Sequence, residues 1–318
     1  MKKTPLTQFS IFFLTYDEPL KMERWSRVRE LAPEAQWING VKGFDEAHKV
    51  CARLSKTRRF VVIDGDNFLF ENFQKEKIPE SLEASPYVLS WSSLNSINGL
   101  QYGNGGVKCW DREVALGMKT HERSERPEAT TDFCFEVPYY QFSRTLSRSE
   151  IHLTPFQAFR AGFREGVKMA MIDGKPVSAE NFRRGLPVFT SDPNFARLTA
   201  WMTLGADVEN GLWALLGARQ GFFMSLTEEG VSDKIKDHDW LSAFWSEVVA
   251  PRHQGAERVC PVTGYEWSPK KVVATVENYG RHLFEETDLR LPLYTPSLSA
   301  NLKKELVSPR REGLMFDA

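Results

Sequence analysis

Phe60-Val61-Val62-Ile63-Asp64-Gly65-Asp66-Asn67 sets a short apolar run directly against two carboxylates one residue apart. Four successive apolar residues, three of them β-branched, are the pattern of a strand buried on both faces, and the Asp-Gly and Asp-Asn pairs are turn-formers that end it. Upstream, Phe9 to Thr15 (FSIFFLT) is another such run, closed by Asp17, Glu18 and Pro19, and Gln36 to Asn39 reads as a shorter third strand. Leu20 to Leu31 carries Leu20, Trp25, Val28 and Leu31 at near-helical spacing and stops at Ala32-Pro33. Asp45 to Ser55 puts Ala47, Val50, Cys51 and Leu54 on one face, with Asp45 as the expected N-cap. Strand, helix, strand, helix, strand predicts right-handed crossovers around a parallel sheet, with ligands at the carboxyl ends of its strands.

Further along, Tyr87 to Ser92 and Gly105 to Trp110 read as strands separated by an Asn- and Gly-rich loop over 95–104, and Phe133 to Gln141 as an extended piece broken by Pro138. From Thr154-Pro155, a cap followed by proline at the first helical position, the texture becomes helical. Phe156 to Met171, Arg197 to Thr203, Gly211 to Ala218, Asp239 to Val249 and Lys271 to Phe284 are the expected helices, and Ser308 to Ala318 the expected tail.

The 318 residues are 42% hydrophobic and 26% charged, which excludes a mainly disordered, collagenous or multi-span membrane chain. A formal net charge of −1 excludes a whole-molecule basic field, so any nucleic-acid contact has to be local. Cys51, Cys109, Cys134 and Cys260 form no C-x-x-C pair, which leaves reduced, buried thiols as the expectation in place of zinc or disulfides. The apolar run Ile11 to Leu14 is too short for a signal peptide or a membrane span, so a cytoplasmic location without membrane attachment is expected.

Asp64 and Asp66 at a strand end can converge on one hard divalent cation, because Mg²⁺ and Mn²⁺ take oxygen ligands and share their shell with substrate phosphates. The plainer reading is a turn. The order of elements resembles the nucleotide-sugar half of GT-A-type glycosyltransferases. The strings TYDEP (15–19), NGVKGFDEAH (39–48), VIDGDN (62–67), YGNGGVK (102–108) and TPFQAFRAGFREGVK (154–168) are similar to phage-encoded members that decorate hydroxymethylated DNA pyrimidines, arabinosyl-transferring ones included; the similarity covers roughly residues 10 to 225.

The resemblance implies an α/β fold: a GT-A-like, Rossmann-type nucleotide-sugar-binding sheet domain over 1–192, then a mainly helical acceptor-binding region over 193–318. It implies metal-dependent transfer of a hexosyl or pentosyl group from a nucleoside diphosphate-sugar, a UDP-sugar first, to the hydroxyl of a 5-hydroxymethylated pyrimidine in DNA, 5-hydroxymethylcytosine first. Thr15, Tyr16, Asp17 and Glu18 would then meet base and ribose, with a tyrosine stacked on uracil, while Lys42 and Gly43 approach the diphosphate. Gly105 and Gly106 would face the donor sugar, or serve a hairpin. Asp132, with Glu136 as its rival, would be base or sugar contact. Asp66 would be catalytic through the metal it holds, with Asp64 and His152 as further ligands.

Arg160, Arg164 and Lys168 recur every fourth residue, and residues 141–190 hold eight basic residues against four acidic ones, a local excess suited to a polyphosphate or a DNA backbone, or to a solvated helix face. Trp201, Trp213, Trp240 and Trp245, near Arg197, Arg219 and Lys234, suit either core packing or wedges that hold an opened duplex. A polysaccharide or protein acceptor, or a non-catalytic DNA-binding or virion protein of the same fold, are the alternatives.

Overall fold

The computed structural model describes residues 3–119, 138–171, 175–189, 193–305 and 313–315. It is a mixed α/β structure. β1 (Ser10–Thr15), α1 (Lys21–Leu31), β2 (Gln36–Asn39), α2 (Phe44–Leu54) and β3 (Arg59–Asp64) follow the sequence reading within a residue or two. β4 (Asn67–Leu69), β5 (Val88–Asn95), β6 (Gln101–Asp111), β7 (Tyr139–Ser149) and β8 (Gly313–Met315) complete an eight-stranded sheet of order β8-β7-β5-β6-β3-β1-β2, with β4 on β7. β1 runs parallel to β2 and β3, whereas β6 is antiparallel to both β3 and β5.

Alternation decides how the sheet is buried. Ile11, Phe13, Val61 and Ile63 face one side, where Val28 and Leu31 of α1 and Trp91 pack on them. Phe12, Phe60 and Val62 face the other, against Cys51 and Ala52 of α2 and Trp110. Both faces are apolar because both are covered, as expected of central parallel strands.

Three local expectations are corrected. Gly43, at φ +90°, stands at the N-cap of α2 with no side-chain cap, while Asp45 is buried in the first turn; the left-handed backbone there favours glycine. β6 starts at Gln101, so residues 101–104 of the segment expected as loop are strand. Gly313 to Met315, expected as tail, pairs with Tyr139 to Gln141.

The chain divides into two compact units, Met1–Asn95 with Gln101–Glu150 and Val307–Ala318, and Ser96–Leu100 with Ile151–Leu306. The second contains α3 (Pro155–Lys168), α4 (Ala179–Phe189), α5 (Pro193–Thr203), α6 (Gly211–Thr227), α7 (His238–Phe244), α8 (Pro269–Thr287) and α9 (Pro296–Glu305). The helix from Thr154, which the sequence reading grouped with the sheet, belongs to this unit because it packs on α6. A Cβ on Gly162 or Gly166 would lie 2.0 or 2.2 Å from the carbonyl oxygens of Ala214 or Ala218, and one on Gly217 or Gly221 2.1 or 2.3 Å from those of Phe159 or Phe163. The GFREG string is thus half of a reciprocal small-residue seam between two helices.

Trp201 and Trp213 are fully buried in the same unit, and Trp240 stacks on Phe244 at 4.9 Å. Arg219 is 1% exposed, its guanidinium donating to the carbonyls of Met202, Val276, Leu291 and Pro292. Trp201, Trp213 and Arg219 lie in the core of the unit, with Trp240 half-buried beside it. Among the described residues, no helix is long and apolar enough to cross a membrane.

The seam makes a direct forecast. Gly166→Ala is expected to lower the free energy of urea unfolding by about 1–3 kcal/mol, as for other overpacked sites. Gly117→Ala, where an added Cβ meets nothing within 4 Å, is the control and does not lower the unfolding free energy.

Candidate functional site

The three parallel strands end level. Thr15 is paired with Asn39, and Leu14 with Asp64, so a threonine, an amide and a carboxylate stand along one carboxyl edge. The Thr15 hydroxyl donates to Asn39 Oδ1 at 2.8 Å and accepts from Trp37 Nε1 at 2.7 Å. Lys21 Nζ donates to the same Asn39 oxygen at 2.9 Å and to the Tyr16 carbonyl at 3.1 Å. Gly40 donates its amide to the Thr15 carbonyl at 2.9 Å, which ties the start of the loop leading to Lys42 and Gly43 to this edge; Lys42 itself is exposed. The Tyr16 ring is 49% exposed, and its amide donates to Glu18 Oε2 at 2.6 Å.

Close approach is made possible by two glycines. A Cβ on Gly65 would lie 2.6 Å from Thr15 Cγ2, 2.9 Å from the Leu14 carbonyl and 3.1 Å from Glu18 Cδ, so its absence lets Glu18 lie over the Asp64–Asp66 turn. A Cβ on Gly106 would lie 2.0 Å from Asn67 Nδ2, so the Asn67 amide lies where that side chain would be. Asn67 Nδ2 donates to Asp66 Oδ1 at 2.7 Å, and its Oδ1 accepts from Ser93 and Ser147, each at 2.8 Å. Gly105 is pressed against the Ser93 amide and the Trp91 carbonyl. These two glycines thus serve backbone packing beside the turn, whatever else they face.

Charge is unevenly answered here. Lys108 of β6, 5% exposed, donates from Nζ to Asp64 Oδ2 at 3.3 Å and to the Gly105 carbonyl at 2.9 Å. Arg24 of α1, also buried, pairs with Glu150 Oε2 at 3.0 Å and donates to the Pro19 carbonyl. Burial, with the Asp64 charge added, raises the Asp66 carboxyl above its usual range despite the Asn67 hydrogen bond. Burial likewise raises Glu18, opposed by the Tyr16 amide and reinforced by Asp66 and Asp17. Carboxylates brought together with raised affinity for protons are the kind of perturbed group found at functional sites.

Thr15, Tyr16, Glu18, Asp64 and Asp66, expected as site residues, therefore share one strand edge; Asp17, whose charge bears on Glu18, accompanies them. Asp132 and its rival Glu136 lie outside the described residues. His152 belongs to the second unit, where its Nδ1 donates to the Glu209 carbonyl at 2.9 Å. Among the described residues no three His, Cys, Asp or Glu side chains cluster to hold a metal by themselves. Arg160, Arg164 and Lys168 are half-buried on α3: Arg160 lies over the Phe156 ring, and Lys168 pairs with Glu165 at 2.5 Å. The sequence reading passed over Lys108, Arg24 and Asn67. Lys108 shares strand parity with Trp110, and a lysine on an otherwise buried strand face was the available signal.

His48 is structural. It is buried, donates from Nδ1 to the Phe44 carbonyl at 3.0 Å, and lies against Phe44 and Trp110.

No family model and no curated protein sequence matches the chain. Among solved structures, the crystal structure of a glycosyltransferase involved in the glycosylation of the major capsid of PBCV-1 is similar at 14% identity and a TM-score of 0.21, over 33% of this chain. The chain spans 62% of that protein's length. So slight a likeness carries neither a fold nor an activity across.

Two measurements check the local account. Gly106→Ala is expected to displace Asn67 from Asp66 and cost about 1–3 kcal/mol in urea unfolding. Burial lowers His48 from its usual value to about 3. The unfolded chain therefore takes up a proton below about pH 6.5 that the folded chain refuses, so stability is lost as pH falls toward the folded value, by at most about 1.4 kcal/mol per pH unit. His48→Gln should flatten that part of the stability–pH curve; an unchanged slope would count against it.

Proposed function

We propose that the chain is a metal-dependent glycosyltransferase with a GT-A-like donor site, moving a sugar from a nucleoside diphosphate-sugar, a UDP-sugar first, to the hydroxyl of a 5-hydroxymethylated pyrimidine in DNA. The observation that carries the reading is the anionic turn Asp64–Asp66 at the carboxyl edge of the parallel strands, where open α/β sheets take their ligands. The residues fit a divalent cation. Two carboxylates with substrate phosphates are a usual shell for Mg²⁺, and the raised Asp66 and Glu18 carboxyls are relieved by added positive charge. When bound there, the cation supplies charge that offsets the leaving diphosphate.

The chain's own residues divide the remaining work. Tyr16, half exposed, offers a ring face to the base, and Asp17 and Glu18 offer acceptors to the ribose. Lys42, in a loop that begins and ends on the positive-φ glycines Gly40 and Gly43, offers charge to the diphosphate. Asp132 is proposed as the group that takes the acceptor proton.

The DNA acceptor rests on the resemblance of the sequence strings. One observation favours a second reading, a glycan or protein acceptor: Arg144, Arg148, Lys168, Arg183 and Arg184, all within the locally basic stretch, are each paired with a carboxylate. Salt separates the two, because binding to duplex DNA weakens steeply with ionic strength and binding to a neutral glycan does not.

The test is to incubate the protein with hydroxymethylcytosine-containing DNA, a panel of sugar nucleotides and Mn²⁺, and to weigh the digested nucleosides. A mass gain of one sugar is expected, lost on adding EDTA and reduced at least 100-fold by Asp66→Ala with the fold intact. Undiminished transfer by Asp66→Ala in EDTA would overturn the metal assignment.

A further inference from the structure

Resting on the donor-site reading above, we infer that Lys108 acts as a built-in counter-charge at Asp64, making capture of the divalent cation depend on prior or simultaneous binding of the diphosphate. Lys108 stands on β6 in register with Val62 on one side and Ser90 on the other. Its side chain is 6% exposed, and that of its partner Asp64 is 32% exposed. The pair is therefore anchored in the sheet and open at the carboxylate. A buried ammonium needs such a partner, since leaving it alone carries the full cost of desolvation.

The two aspartates of the turn are consequently unequal. Asp64 already holds an ammonium, while Asp66 has no ion pair among the described residues and accepts from the neutral Asn67 amide. A divalent cation held by Asp64 and Asp66 would add a second positive charge near the Lys108 ammonium, and that like-charge repulsion would weaken its hold on the free protein. A diphosphate reverses the balance, because its negative charge offsets ammonium and metal together. Coupling of this kind is reciprocal: the metal strengthens nucleotide binding by the factor by which the nucleotide strengthens metal binding. Lys108 is thus a positioning residue that acts through Asp64. A purely structural lysine would stabilise the fold without holding metal affinity down.

Calorimetric titration of MnCl₂ into wild-type protein and into Lys108→Met, each with and without saturating UDP, reads this directly. The wild type is expected to bind Mn²⁺ at least tenfold more tightly when UDP is present. Lys108→Met should bind Mn²⁺ without UDP at least tenfold more tightly than the wild type does, with a smaller gain on adding UDP. Lys108→Gln serves as the second variant, and circular dichroism and melting check the fold of both. Wild-type protein that binds Mn²⁺ equally with and without UDP overturns the inference with no variant needed. UDP-strengthened binding that is the same in folded variants and wild type overturns it alone and leaves the donor site standing. No Mn²⁺ binding to the wild type even with UDP overturns the metal reading, and this inference with it.

Discussion

Negative charge gathered at the carboxyl edge of three parallel strands is the constraint around which the first unit is arranged. Asp64 and Asp66 are separated by a single glycine, and Glu18 lies over that glycine. Gathering carboxylates in a half-buried turn costs free energy unless each finds a donor or a cation, and the chain meets this unevenly. Asp64 takes Lys108, Asp66 takes an amide, and Glu18 takes the backbone N–H of Tyr16. Burial first, and the neighbouring carboxylates after it, still raise the Asp66 and Glu18 carboxyls.

The strands that supply these answers explain why the sheet does not stop at its parallel half. β6 runs antiparallel beside β3, so its Gly106 comes alongside the turn after β3 and its Lys108 returns along the same face to Asp64. β7 brings Ser147 to Asn67, and just past its end Glu150 donates its amide to the Asp66 carbonyl at 2.8 Å. The strands β1 to β3 aim the carboxylates, and antiparallel β6 and parallel β7 hold them.

What could be read from the chain beforehand follows from the range of the physics involved. Burial on both faces is written locally in Phe60 to Ile63 and Phe9 to Thr15, and the Thr154-Pro155 cap is written in two residues, so strands, helices and the Asp64–Asp66 turn were legible. Lys108 was not, because its meaning lies in a partner 44 residues away. Asn67 reads locally only as a turn residue, since the two serines that fix it come from strands 26 and 80 residues distant. Gly162 and Gly166 looked like part of a functional string; only the facing Gly217 and Gly221 show that the string is a seam. Asp132 lies outside the described residues, so its reading stands where the sequence left it.

The basic stretch and the acidic turn show how differently charge counted along a sequence behaves once folded. Eight basic residues against four acidic ones over 141–190 suggest a surface prepared for phosphates, yet at least five of the eight are paired with carboxylates, two of these, Glu76 and Asp288, from distant segments. The exposed pairs, Arg183–Asp288 and Arg184–Glu180, contribute little to stability, but all five lower the net field a polyanion would meet. The acidic turn has the opposite history: two aspartates that any loop might contain are brought under a third carboxylate and only part of the needed cation. Charge that folding has matched points to structure, and charge that folding has gathered and left unmatched points to a ligand. By that measure the edge formed by Thr15, Glu18, Asp64 and Asp66 carries the stronger claim to function, and the helix bearing Arg160, Arg164 and Lys168 the weaker.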